Sequence, residues 1–220
     1  MSSAVLAQEI CRVGRSLFER GYVHASAGNL SVRLPQRQGF LITPTDACLG
    51  FLDADRLAQV DIDGRQSGGD PASKTLALHR RIYEAEPAAQ CVLHTHSTHL
   101  VALTLAGVWS ADDVLPPITP YYVMKVGHVP LVAYHRPGDP AGAERVADAI
   151  ARGRASGGAP RAVLLDRLGP LVWRDSPAAA MASLEELEET ARLWLMMNPK
   201  PAPLTPVQID ELRRTFGARW

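Results

Sequence analysis

Three histidines, His94, His96 and His99, lie close together in Leu93-His94-Thr95-His96-Ser97-Thr98-His99. A strand carried through His94 and His96 would turn both rings to one face, close enough to ligate a single divalent ion through neutral imidazole nitrogens. The pair also suits a plainer arrangement in which one ring bonds a backbone carbonyl and the other faces water. His99 falls about one helical turn beyond His96, where it would support such a site from behind or pack between elements. Polar groups also stand at the ends of predicted elements: Asn29 in Ala-Gly-Asn, Thr43 in Thr-Pro-Thr, and Ser73-Lys74. Converging, they would form a phosphate or carboxylate pocket, with small residues admitting backbone N–H groups, hydroxyls donating and Lys74 adding charge. Taken singly, each reads as a turn or cap residue.

These residues need strands and helices that end beside them. Leu6, Ile10, Val13, Leu17 and Phe18 recur at helical spacing and predict an amphipathic helix over residues 4–18. Short strands are predicted over 29–34, 40–43 and 58–62, the last closed by Asp63-Gly64. Residues 65–73 read as a loop, with Ser73 capping a helix that runs to about residue 86, before Pro87. A strand over 91–94 delivers the histidines, and a helix opens at His96 or Ser97. Residues 116–139 read as a loop with a strand over 129–134, and 141–152 as a helix. Strands over 161–165 and 171–173 flank Leu168-Gly169-Pro170, and a long helix covers 178–197, with Glu185 to Glu189 on its solvated face. A linker from Pro199 leads to a short tail helix, all within one domain spanning 1–220. Successive strands followed by interleaved helices predict an α/β fold with a largely antiparallel sheet.

Composition removes several functions. With 23 Lys+Arg against 23 Asp+Glu, the 220-residue chain lacks the electrostatic footprint of a nucleic-acid binder or a polybasic membrane-surface protein. No apolar run approaches the length needed to span a bilayer, and the N-terminal residues do not form a basic-then-apolar leader, so a cytoplasmic location is expected. Three widely spaced cysteines, Cys11, Cys48 and Cys91, build no disulfide framework and no CxxC motif. No GxGxxG or GxxxxGK[ST] pattern supports a dinucleotide or P-loop site.

An ordered series of segments resembles one family. Ala25-Ser26-Ala27-Gly28-Asn29-Leu30-Ser31, Ile42-Thr43-Pro44-Thr45, Asp70-Pro71-Ala72-Ser73-Lys74, Leu78-His79 and Val92-Leu93-His94-Thr95-His96 together are similar to the class II aldolase/adducin family. Pro117 to Gly127, Tyr134 to Pro140 and Leu187-Glu188-Glu189-Thr190-Ala191 look most like its 3-oxo-tetronate 4-phosphate decarboxylase branch, with L-fuculose 1-phosphate aldolase more distant. The resemblance implies an α/β/α sandwich, a homotetramer, and a divalent metal, usually zinc, held by three histidines beside an acid/base glutamate. The metal would stabilise an enediolate formed by C–C cleavage of a small phosphorylated sugar acid. His94 and His96 fall at the first two metal positions, and Asn29, Thr43, Ser73 and Lys74 where the substrate and phosphate are held. Two positions depart from the pattern: Thr75 stands at the glutamate, and Leu168 at the third histidine. Asp166, His128 and His135 are candidate substitute ligands. The departures set an inactive, ligand-binding or interaction module beside the lyase as the alternative.

Overall fold

The computed structural model describes residues 2–220. Eight strands form one sheet: β1 Asn29–Arg33, β2 Phe40–Ile42, β3 Ala58–Val60, β4 Gln66–Gly68, β5 Cys91–His94, β6 Leu131–Val132, β7 Ala162–Leu165 and β8 Gly169–Arg174, in the order β4-β3-β2-β1-β5-β8-β7-β6. Every pairing is antiparallel except β6 with β7.

Alternation along the strands splits the core in two. Cys91 and Leu93 of β5 join Leu30 and Val32 of β1 on one face, under α1 (Ser3–Glu19), α3 (Thr98–Ala106) and α5 (Pro177–Met196). Val92, Val163 and Leu171 point the other way, under α2 (Leu76–Ala85) and α4 (Pro140–Ala155). The result is the α/β/α sandwich around a mostly antiparallel sheet that the sequence predicts. In α1, Leu6, Ile10, Val13 and Leu17 are all buried, at about 1.5–3 kcal/mol of transfer free energy per side chain. The tail helix α6 (Pro206–Phe216) opens on a Thr205–Gln208 capping box.

Several expectations change. The stretch read as a loop over 65–73 holds the edge strand β4, whose residues are all exposed; a strand with no buried face carries no alternation to read. Ser73 does not cap α2. The N-cap is Thr75, without a side-chain capping bond, and the Ser73 hydroxyl accepts from the Thr75 amide instead. Residues 122–126 form a turn of π-helix that the Pro- and aromatic-rich composition concealed. Glu188 is buried rather than solvated. Its carboxylate accepts from the backbone N–H groups of His99 and Leu100 at 2.9 and 3.0 Å and meets His99 Nδ1 at 2.8 Å. A carboxylate here satisfies orphan donors at the start of α3 and ties that helix to α5.

Candidate active site

The cleft lies where β1 begins and β5 ends. Asn29 pairs with His94 across these strands, so both side chains leave the sheet on the α2 face. Strand β5 stops at His94, and His96 sits in the following coil. The two rings still come together, edge to face, with centroids 5.0 Å apart. The neighbouring hairpin secures this arrangement. Gly169 has φ +108°, and a Cβ there would lie 2.3 Å from the Thr95 carbonyl oxygen, so only glycine lets β8 start this close to the histidine loop.

A cavity of about 130 Å³ opens beside the rings and is lined by Asn29, Lys74, Thr75, His94, His96 and Leu168 among others. Thr43 and Ser73 are not in its lining but adjoin it: Thr43 Oγ1 accepts from the Leu30 amide at 3.2 Å, and the Ser73 amide donates to the Thr43 carbonyl at 3.2 Å. The Thr43 hydroxyl and the Ser73 amide thus hold together the segments that carry Asn29 and Lys74. Lys74 is exposed and paired to Asp46 at 3.1 Å. The segment from Val132 to Ala143 forms the opposite rim, bringing His135, Arg136 and Asp139 to the cavity; the sequence offered no spacing signal for this contribution.

His94 Nδ1 lies 2.8 Å from the Pro170 carbonyl oxygen, which only accepts, so the proton sits on Nδ1 and Nε2 is left for a ligand. Burial, with the neighbouring His96 charge, pushes its pKa down to about 4. Burial, and then His24, lowers His96 in the same direction. Both rings are therefore neutral near pH 7, the form that ligates metal. The remaining positions do not complete a site. Leu168 lines the cavity with hydrocarbon, and Thr75 spends its hydroxyl on Ser73 Oγ at 3.0 Å. Of the substitute candidates, Asp166 and His135 line the cavity, whereas His128 is engaged elsewhere by Asp113 at 2.6 Å and by the Trp220 ring. Among the described residues, no three His, Cys, Asp or Glu side chains gather as a metal-holding group. The donor set therefore does not fit the three-histidine ion that the resemblance implies. His99, held on Glu188, takes no part.

Leu78-His79 belongs to the segments that carry the resemblance, but the sequence assigned His79 no role; it is fully buried behind Asn29 with Nε2 2.6 Å from Asn29 Oδ1. A signal of its burial was its place on the same helical face as Ile82 and Tyr83, both buried.

The model of the class II aldolase and adducin N-terminal domain matches residues 8–195. The chain belongs to that family. Within it, the chain is 58% identical over 220 residues to a 3-oxo-tetronate 4-phosphate decarboxylase of Cupriavidus necator, covering 98% of this chain and 97% of the relative. A decarboxylase of the same name from Escherichia coli K12 is 42% identical over 94% of this chain and 95% of its own length. An L-fuculose phosphate aldolase of Methanocaldococcus jannaschii is 29% identical over 86% of this chain and 95% of the relative. Among solved structures, the E. coli protein YgbL, titled as a candidate aldolase/epimerase/decarboxylase, superposes with a TM-score of 0.87 at 40% identity, covering 96% of this chain and 99% of that one. This class II aldolase-family chain is thus close to the decarboxylase-named relatives. No described helix is long and apolar enough to cross a membrane.

Proposed function

We propose that this chain is a decarboxylase-type carbon–carbon lyase acting on a small phosphorylated 3-oxo sugar acid, of which 3-oxo-tetronate 4-phosphate is the model substrate. The observation that carries the proposal is the single cavity joining Asn29, Lys74, His94 and His96, in a chain so similar to decarboxylase-named relatives.

The chemistry favours decarboxylation over aldol cleavage. Aldol cleavage starts when a base takes a proton from a hydroxyl, and a threonine at position 75 cannot take up that proton near neutral pH. A 3-oxo acid starts from its carboxylate and needs no base. The C1–C2 bond breaks, CO2 leaves, and the electron pair moves onto the C3 carbonyl oxygen as an enolate; a proton delivered to C2 completes the product. What the site must supply is stabilisation of that oxygen. Lys74 and Arg136 place positive charge on the rim, and Asn29 offers an N–H donor. Zinc would be the expected divalent ion in this family, but of its three-histidine set only His94 and His96 are present, so the wild-type chain is expected to hold well under one metal per chain. The proposal extends to a single-domain chain in the cytoplasm, which length and hydropathy pattern support, working as a homotetramer, which the family resemblance alone supports.

Thr75 and Leu168 together favour a second reading, in which the chain binds the acid without turning it over. Elemental analysis combined with an assay of CO2 release from 3-oxo-tetronate 4-phosphate separates the two. Turnover with sub-stoichiometric metal supports the lyase, binding without CO2 release supports the binder, and stoichiometric zinc or manganese overturns the metal-poor assignment.

A further inference from the structure

Behind Asn29 runs a line of buried side chains that the chemistry above does not use. Tyr83 Oη lies 2.9 Å from Ser31 Oγ, Ser31 Oγ lies 2.7 Å from His79 Nδ1, and His79 Nε2 lies 2.6 Å from Asn29 Oδ1. Ser31 and His79 are fully buried, and Tyr83 nearly so. The direction of each bond follows from the last one. An amide oxygen only accepts, so His79 Nε2 carries the proton. A neutral ring then leaves Nδ1 as an acceptor, the Ser31 hydroxyl donates to it, and Tyr83 donates to the Ser31 oxygen. Burial keeps His79 neutral by pushing its pKa down to about 3, and a protonated His94 would push it the same way.

With Oδ1 committed, Asn29 has one polar atom left, Nδ2, which bonds no group among the described residues. It is also absent from the buried atoms that lack a partner, which are Arg80 Nε, Tyr122 Oη and Trp173 Nε1. Nδ2 therefore opens on the cavity that Asn29 lines.

We propose that His79 is a positioning residue for ligand binding: it holds the Asn29 amide with its NH2 edge toward the cavity, so that the site receives a phosphate or carboxylate oxygen. The proposal rests on reading the cleft as a site for a phosphorylated sugar acid and adds the group that sets its hydrogen-bonding polarity. Turned over, the amide would present an acceptor to an anion. His79 and Asn29 thus favour an anionic oxygen over an ammonium or other donor group.

Nitrogen-15 NMR of the ligand-free chain at pH 7 reads the His79 tautomer directly. The Nε2–H form is expected, and the Nδ1–H form overturns the proposal. Calorimetry with 3-oxo-tetronate 4-phosphate and with inorganic phosphate reads the consequence. Asn29→Asp keeps the bond from His79 but presents only acceptors, and is expected to lose roughly 10-fold or more in affinity, as is His79→Leu. His79→Gln, which can donate to Asn29 and accept from Ser31, should stay near wild type. Wild-type affinity in Asn29→Asp, or in a folded His79→Leu, overturns the positioning role. Should His79→Leu fail to fold, Asn29→Asp and the tautomer still decide it. An Nε2–H tautomer in a wild-type chain that binds neither probe overturns the sugar-acid reading and the positioning role with it, whereas Nδ1–H with binding intact overturns the positioning role alone.

Discussion

The two walls of the cleft are built to different standards. On the Asn29 wall, buried side chains hold one another: Thr43 holds the Leu30 amide, His79 holds Asn29, Ser31 holds His79 and Tyr83 holds Ser31. On the histidine wall, His94 is oriented by the Pro170 carbonyl, but the remaining places around the ring pair are filled by Leu168 and by a threonine turned to Ser73. Recognition and chemistry can therefore be lost separately. Hydrogen bonds among buried side chains are costly to break singly, because each loss strands its neighbour. A metal set fails once a member is replaced by hydrocarbon, with no comparable penalty to folding.

The largest expected effect comes from rebuilding the weaker wall. Thr75→Glu combined with Leu168→His should raise zinc affinity by more than roughly 100-fold, the upper end of what losing a mere supporting hydrogen bond costs a metal site. Equilibrium dialysis with elemental analysis checks this, and unchanged uptake would show that the wall has lost its geometry as well as its ligands. Acid tests the other wall. The unfolded chain protonates His79 near its ordinary value of 6.5 and the folded chain only at about 3, through burial first and the His94 charge second. Between those values the unfolded state binds more protons, so stability is full above pH 6.5 and falls as pH drops toward 3. The slope is about 1.4 kcal/mol per pH unit for this one group. Urea unfolding from pH 7 to 4 should be steeper in wild type than in His79→Gln, and identical slopes would contradict a neutral buried His79.

A smaller loss is expected from Ser31→Ala, which leaves His79 Nδ1 and the Tyr83 hydroxyl without their shared partner, at about 1–3 kcal/mol in chemical denaturation. If stability were unchanged, the chain behind Asn29 would carry less than the walls' contrast requires. Lys74→Ala should be the mildest for folding, within about 1 kcal/mol, since its pair with Asp46 is exposed. Its effect should appear in phosphate-ester affinity, and equal affinity would remove Lys74 from the binding wall.

Much of the sandwich was legible because its elements have a buried face: the stripe of α1 and the apolar runs of β5 and β7 follow period and burial directly. β4 was not, since none of its side chains is buried, and Glu188 was not, since nothing in an acidic run marks which member turns inward to meet a helix start. The site was legible in part. The His94–His96 pair meets as expected, although His96 reaches its place from coil rather than from a continued strand. Asn29 and Lys74 line the cavity, while Thr43 and Ser73 serve the loops behind it. The role of His79 stayed hidden because a buried histidine is decided by partners far away in sequence, Ser31 and Asn29, and no local pattern carries that information.

The turn between β7 and β8 has an implication for how such a site changes over generations. Arg167 takes a left-handed φ of 62° and Gly169 sits against the Thr95 carbonyl, so backbone constraints, rather than the side chain at 168, set where that side chain is delivered. The position behaves as an address that outlives its occupant. A histidine placed there by one substitution is expected to be delivered to the point beside the cavity that Leu168 now fills.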